Sequence, residues 1–287
     1  MSSEKNKVVG GTLYLVGTPI GNLADISERA KKVLTEADFI AAEDTRNSLR
    51  LLMALGIKNE LISYHEHNRK SSGERIIARL LSGESCALIT DAGMPAISDP
   101  GEDIVRMCAD AGITVSVIPG ACAAISALAL SGLSTSRFAF EGFLSAKDSE
   151  RKKRLSSLAK EERTMIFYEA PHKLKSTLSD MRDAFGENRK ISLCREITKL
   201  NEEISRLTLG DAVAFYNQNE PRGEYVLVVE GYDGANVSEE VLELLSLSPE
   251  EHVQKYVDDG MTRMEATKRA AKDRGMSKSE LYKILNT

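Results

Sequence analysis

What this chain lacks narrows its chemistry first. Its four cysteines, Cys86, Cys108, Cys122 and Cys194, are far apart and form no C-x-x-C pair. Three sit in apolar surroundings and read as buried reduced thiols, not as a metal site or a disulfide framework. An excess of positive charge is also lacking, since 38 Lys and Arg against 43 Asp and Glu leave a net charge of −5. The chain therefore has no global nucleic-acid-binding character, and any such contact must come from a local patch. No segment approaches the uninterrupted apolar length of a membrane span. The opening Met1-Ser-Ser-Glu-Lys-Asn-Lys7 has no apolar signal-peptide core. The expectation is a soluble cytosolic protein without repeats or low-complexity tracts.

What is present is an alternation of strand-like and helix-like segments long enough for two or three domains. Strands are expected at 12–16, 39–42, 61–64, 86–90 and 114–118, with helices at 27–36, 48–55, 74–81, 103–110 and 121–130. That order predicts a largely parallel sheet covered on both faces. A second block follows, with strands at 138–143, 164–168, 191–194, 202–207 and 225–229 and helices at 149–159, 172–184 and 211–217. Consecutive strands near 191–207 predict a partly antiparallel second sheet. A polar linker at 233–236 then leads to a small all-helical tail.

Three strand-end loops carry the most information. In Leu88-Ile-Thr-Asp-Ala-Gly-Met-Pro-Ala-Ile-Ser-Asp-Pro-Gly101 there are two aspartates and no lysine or arginine. Unpaired carboxylates repel phosphate and suit a cationic ligand bearing hydroxyls. The competing reading is a stiff connector whose aspartates cap the next helix. Gly17-Thr-Pro-Ile-Gly-Asn-Leu-Ala-Asp25 ends the first strand, and it is neither a dinucleotide fingerprint nor a P-loop. Ile118-Pro-Gly-Ala-Cys-Ala-Ala124 ends the fifth. Loops at carboxyl strand ends are where α/β proteins bind ligands, so three such loops favour one shared cleft.

These segments, taken in order with Ala42-Glu-Asp-Thr-Arg46, Tyr64-His-Glu-His-Asn68 and Phe167-Tyr-Glu-Ala-Pro-His172, carry a family resemblance. The chain resembles the bacterial small-subunit ribosomal RNA (cytidine-2′-O)-methyltransferases of the tetrapyrrole-methylase superfamily over about 11–231. The resemblance implies S-adenosylmethionine (SAM) as donor and the ribose 2′-hydroxyl of a cytidine in the decoding region of 16S rRNA as acceptor. It implies an α/β, tetrapyrrole-methylase-like fold with two subdomains, 11–120 and 121–232, and the SAM cleft between them. A homodimer in the cytoplasm and an RNA-binding helical tail at 237–287 complete that expectation. By position, SAM contacts fall on Gly17 and Pro19, on Asp91, Ala92, Gly93, Pro95, Ala96, Ile97 and Ser98, on Ala121 and Cys122, and on Tyr168 and Gly223. No metal is expected, because the sulfonium already activates the methyl group.

Four residues are candidates for handling the ribose hydroxyl: Glu43, Asp44, His65 and His67. Arg46 and Asn68 stand beside them as substrate contacts, with His172, Arg195, Lys199 and Arg222 along a possible RNA path. The bland alternative pairs Asp44 with Arg46 and leaves the histidines solvated. Sequence alone does not choose the base. In the tail, 261–287 holds seven cations against three anions, whereas 236–260 holds one cation against seven acids. The basic half reads as helix, turn at Gly275-Met276 and helix, a pattern suited to a phosphate backbone. A tetrapyrrole-modifying enzyme and a ligand-sensing DNA-binding regulator are the rival classes. The first usually carries G-x-G-P-G-D where this chain has Gly17-Thr-Pro-Ile-Gly21.

Overall fold

The computed structural model describes residues 7–233, 244–274 and 276–285. Two compact units are present, 1–231 and 232–287. The first contains two five-stranded sheets.

In the first sheet, β1 (Thr12–Val16), β2 (Phe39–Ala42), β3 (Leu61–Ser63), β4 (Cys86–Ile89) and β5 (Thr114–Ile118) run parallel in the order β3-β2-β4-β1-β5. Every residue of β2 and β4 is buried, as a sheet covered on both faces requires. Alternate residues divide between two cores. Val16, Ile40, Ala42 and Ile89 pack with Val33 and Leu34 of α1 (Glu28–Glu36) and Leu52 of α2 (Thr45–Ala54). Leu13, Phe39, Ala41 and Leu88 face Ile76 and Leu80 of α3 (Arg69–Leu81) and Ile104 of α4 (Gly101–Asp110).

In the second sheet, β6 (Phe138–Phe143), β7 (Thr164–Glu169), β8 (Lys190–Arg195), β9 (Glu203–Thr208) and β10 (Tyr225–Val229) take the order β6-β7-β10-β8-β9. Only β6 and β7 pair in parallel, and the other three pairings are antiparallel. One face carries α5 (Ala123–Ser131) through Ala127 and Leu128 against Ile166, Cys194 and Val228. The other carries α6 (Asp148–Leu158), α7 (Pro171–Phe185) and α8 (Leu209–Gln218) on Phe167, Leu193 and Leu227.

Two helices start three or more residues earlier than their apolar periodicity predicts. Helix α2 begins at Thr45 because the Asp44 carboxylate accepts the Arg46 backbone N–H at 2.8 Å. Helix α3 begins at Arg69, five residues before the apolar signal. Its first turn is polar, and Gly73 lies where a Cβ would meet Met107 Sδ at 2.9 Å. A glycine that looks like a helix breaker thus permits close packing of α3 on α4.

The second unit holds α9 (Pro249–Asp258), α10 (Arg263–Asp273) and α11 (Lys278–Ile284) around Val253, Tyr256, Ala266, Ala270 and Leu281. Capping boxes at Ser248 and Ser277 start α9 and α11. Most of the expected linker, 234–236, and Gly275 of the expected turn lie outside the described residues. His252 is fully buried, with Arg274 Nε donating to its Nδ1 at 3.1 Å and Asp273 Oδ2 at 3.5 Å from Nε2. An Nδ1 that accepts fixes the neutral ring, and burial followed by the Arg274 charge lowers its pKa. The unfolded chain therefore takes up a proton before the folded one does. Acidification from about pH 7 to about pH 5 should destabilise this unit. Urea unfolding of the full chain and of His252→Gln at both pH values checks this, with the variant showing the smaller pH dependence.

Candidate functional site

The cleft is built on backbone contacts between strand-end loops. Gly17 N donates to Ile118 O at 3.0 Å, which holds the loop after β1 against the loop after β5. A Cβ on Gly120 would lie 2.8 Å from Gly17 Cα, and one on Gly17 would lie 2.7 Å from Gly120 Cα. Both positions therefore need glycine. The loop after β4 joins through a two-way bridge, with Thr18 N to Gly93 O at 2.9 Å and Gly93 N to Thr18 O at 3.2 Å. Gly93 adopts φ +85°, which a side chain would resist.

The two aspartates of the β4 loop have different tasks. Asp99 accepts from the backbone N–H groups of Ala96 (3.0 Å), Ile97 (3.2 Å) and Gly101 (2.7 Å). It organises a turn in which Ala96 and Ser98 hold φ of 67° and 63°. The capping role therefore applies to Asp99, whose charge is taken up within its own loop. Asp91 accepts from Asp44 N at 3.3 Å and Asn47 Nδ2 at 3.1 Å, which ties α2 to the cleft wall.

The facing wall comes from the second sheet: Tyr168 and Glu169 end β7, Cys194 ends β8 and Tyr225 opens β10. Together the walls enclose about 390 Å³, a size suited to a small ligand. The Tyr168 ring is held edge-on by Phe140 at 5.1 Å and tilted against Phe143 at 5.4 Å, and burial raises its pKa. Glu169 is almost fully buried and accepts from Ala170 N and Thr177 Oγ1. Glu43, Asp91, Asp99, Glu169, Glu196 and Glu224 all line the cavity, against Lys199 as the single cation among its described lining residues. The balance favours a cationic ligand over a phosphate.

Residues 12–213 match the family of tetrapyrrole (corrin/porphyrin) methylases. The chain belongs to that methylase family. Its curated relatives include "Ribosomal RNA small subunit methyltransferase I" of Halalkalibacterium halodurans, 48% identical over 96% of this chain and 94% of the relative. The protein of the same name from Synechocystis is 44% identical over 96% of this chain and 97% of its own. Two solved structures share the fold. They are uroporphyrin-III-C-methyltransferase from Thermus thermophilus (TM-score 0.56, 21% identity, 79% of this chain and 97% of that one) and diphthine synthase (TM-score 0.58, 15% identity, 76% and 90%). The chain is thus a methyltransferase with the two-sheet architecture of these enzymes.

In this methylase, Asp91, Ala92, Gly93, Ile97, Ser98, Cys122 and Tyr168 line the cavity, as do Glu43 and Lys199. Gly17, Pro19, Pro95, Ala96, Ala121 and Gly223 are not among its lining residues, and several act at one remove. Gly223 (φ +77°) leaves room for Glu196, since a Cβ there would meet Glu196 Cγ at 2.5 Å. Asp44 forms the ion pair with Arg46 that the bland reading anticipated, at 2.7 Å, and the guanidinium hydrogen bond lowers its pKa to about 2. Asn68 is occupied within its turn, accepting from His65 N and donating to Ser63 O. Arg195 pairs with Glu203 at 2.7 Å. His65 and His67 stack edge to face at 5.9 Å, away from the cavity wall, and neither His172 nor Arg222 lines it.

Sequence reasoning did not single out Glu196 and Glu224, which hold the Lys199 ammonium at 2.9 and 2.7 Å. Burial of Lys199 opposes its charge, but the Glu224 and Glu196 carboxylates outweigh it and raise the pKa. No local signal marks these acids; only the antiparallel pairing of β8 with β10 brings 196 and 224 together. The first-sheet wall yields a direct test. Gly120→Ala should lose about 1–3 kcal/mol of stability through overpacking. Gly210→Ala, whose Cβ meets nothing closer than 3.4 Å, should lose far less. Denaturant unfolding of both variants measures the difference.

Proposed function

We propose that this methylase transfers the methyl group of SAM to the ribose 2′-hydroxyl of a cytidine in the decoding region of 16S rRNA. The observation that carries this reading is close similarity, over nearly the whole chain, to relatives named for the small ribosomal subunit. The acidic cavity supports it independently, because SAM brings a sulfonium and an ammonium group to a wall lined by carboxylates. Gly93 and the Gly17–Gly120 contact shape the donor's cradle, and Tyr168 supplies an aromatic face for its adenosine. Asp91, Ala92, Gly93, Ile97, Ser98, Cys122 and Tyr168 are its wall, with Gly17, Pro19, Pro95, Ala96, Ala121 and Gly223 behind them.

SAM supplies an activated methyl group when bound. The protein must align hydroxyl oxygen, methyl carbon and sulfur and exclude water, and such alignment contributes about 7–11 kcal/mol in favourable systems. The basic half of the helical unit, with exposed Arg263, Lys268, Arg269 and Lys278, provides the local positive patch that the acidic chain otherwise lacks. We assign it the contact with rRNA phosphates, and the active species is a cytoplasmic homodimer. Among the described residues no helix is long and apolar enough to cross a membrane.

Labelled SAM incubated with small ribosomal subunits lacking the modification should yield 2′-O-methylcytidine on nucleoside analysis. Label on a base, on a tetrapyrrole offered in parallel, or nowhere overturns the reading. Asp91→Ala should weaken SAM binding by about ten- to a hundredfold, the scale of one hydrogen bond to a charged group. Titration calorimetry measures it, and unchanged affinity removes Asp91 from the donor site.

A further inference from the structure

We infer that Glu43 is the catalytic residue that receives the proton of the acceptor hydroxyl, held in position by Thr90. This assignment rests on the reading of the cleft as a ribose methylation site. Strand register explains the placement. Ala42 of β2 pairs with Ile89 of β4, so the next residues, Glu43 and Thr90, leave the sheet side by side. Thr90 Oγ1 donates to Glu43 Oε2 at 2.8 Å, and Thr90 is itself buried. Among the described residues nothing donates to Glu43 Oε1. Both residues line the cavity, and Thr90 immediately precedes Asp91, which also lines it.

Elimination points the same way. Asp44 is committed to Arg46 and to the start of α2. Asp99 accepts three backbone N–H groups, and Asp91 accepts two donors from the β2–α2 segment. Both oxygens of Glu169 are engaged. Glu196 and Glu224 clasp Lys199, whose raised pKa keeps it a cation and so unable to accept a proton. His65 and His67 do not line the cavity. Among the described residues Glu224 also has one oxygen without a donor, but its other is bound to the Lys199 ammonium; Glu43 is the lining carboxylate held by a neutral hydroxyl alone with an oxygen still to spend.

A carboxylate is a weak base for a free ribose hydroxyl, but it does not act on a free hydroxyl. As the oxygen lone pair forms the new O–CH3 bond and the S–CH3 bond breaks, the oxygen gains positive character and its proton becomes strongly acidic. The O–H electron pair stays with oxygen, the proton passes to Glu43 Oε1 and then to water, and the sulfur leaves as the neutral thioether S-adenosylhomocysteine. Before the chemical step, the same oxygen accepts the hydroxyl hydrogen bond and aims the lone pair at the methyl group.

Single-turnover methylation of unmodified small subunits at saturating SAM tests the assignment. Glu43→Gln should slow the step on the order of 10²-fold, the lower range for general base catalysis. SAM affinity by calorimetry should stay within about twofold of wild type, since Glu43 contacts the acceptor hydroxyl and not the donor. Thr90→Val, which removes the positioning hydroxyl and keeps the carboxylate, should slow the step less. Subunits reconstituted with 2′-deoxycytidine at the target add a readout independent of turnover. They should bind wild type more weakly than the ribose form, and Glu43→Ala should bind both forms alike, because both changes delete one contact. Wild-type rates in Glu43→Gln, SAM affinity falling in parallel with rate, or additive losses on deoxy substrate overturn the assignment. Wild-type enzyme that fails to methylate any subunit overturns the broader reading instead.

Discussion

The contact on which the cleft depends is backbone against backbone, where Gly17 meets Gly120. The loops after β1 and β5 can touch because neither residue carries a Cβ, and the Thr18–Gly93 bridge then draws in the loop after β4. Parallel strands β4, β1 and β5 are neighbours in the sheet, so their carboxyl ends deliver these loops to one rim. Everything on that wall inherits its position from this suture. Thr90 and Asp91 lie three and two residues before the bridge at Gly93, and the Asp91 carboxylate in turn holds the start of α2. A polar site anchored to main-chain hydrogen bonds moves less than one assembled from long side chains, and catalysis by alignment needs that rigidity.

Electrostatics then sorts chemically identical groups into different tasks. Six carboxylates line one small cavity, and their mutual repulsion would be costly if all stood free. The fold relieves most of it locally. Asp99 and Glu169 are satisfied by backbone amides and a hydroxyl, and Glu196 and Glu224 share an ammonium. What remains toward the cavity is a modest negative field at Asp91 and Glu43. That residue of charge suits the sulfonium of the proposed donor.

The legibility of this protein in its sequence follows the range of the forces involved. β2 and β4 announce themselves as short apolar runs, and the three glycine-rich loops mark strand ends, because both signals are local. Asp99 and Asp91 look alike in the chain. Their division of labour depends on a three-residue return to Gly101 in one case and on α2, more than forty residues away, in the other. Glu196 and Glu224 carried no signal because their meeting is a property of sheet order. The histidine pair drew attention by its rarity in the sequence, but the turn that Asn68 closes faces the rings toward each other rather than into the cavity. Local chemistry named the candidate Glu43 among four, and only the β2–β4 register separated it from the rest.

The two walls also differ in how they hold their shape. On the first-sheet wall, Ala96 (φ 67°) and Ser98 (φ 63°) sit in the left-handed region, within the turn that the Asp99 carboxylate holds through three backbone N–H groups. The second-sheet wall places non-glycine residues in the left-handed region at Glu196 (φ 51°) and Thr198 (φ 68°), each costing about 1–3 kcal/mol. Thr198 Oγ1 and Arg195 Nε are buried there without a hydrogen-bond partner, and Leu200 beyond them is 99% exposed. Gly21 of the first wall leaves space for this segment, since a Cβ would meet Lys199 Cγ at 2.4 Å. Both walls therefore hold strained backbone, and they differ in how it is held: by a satisfied hydrogen-bond turn on one side, beside unpaired buried polar atoms on the other. A wall whose turn is fully hydrogen-bonded, facing a lip with polar atoms still to satisfy, lets binding energy be taken up by the lip while the geometry of the other side is kept.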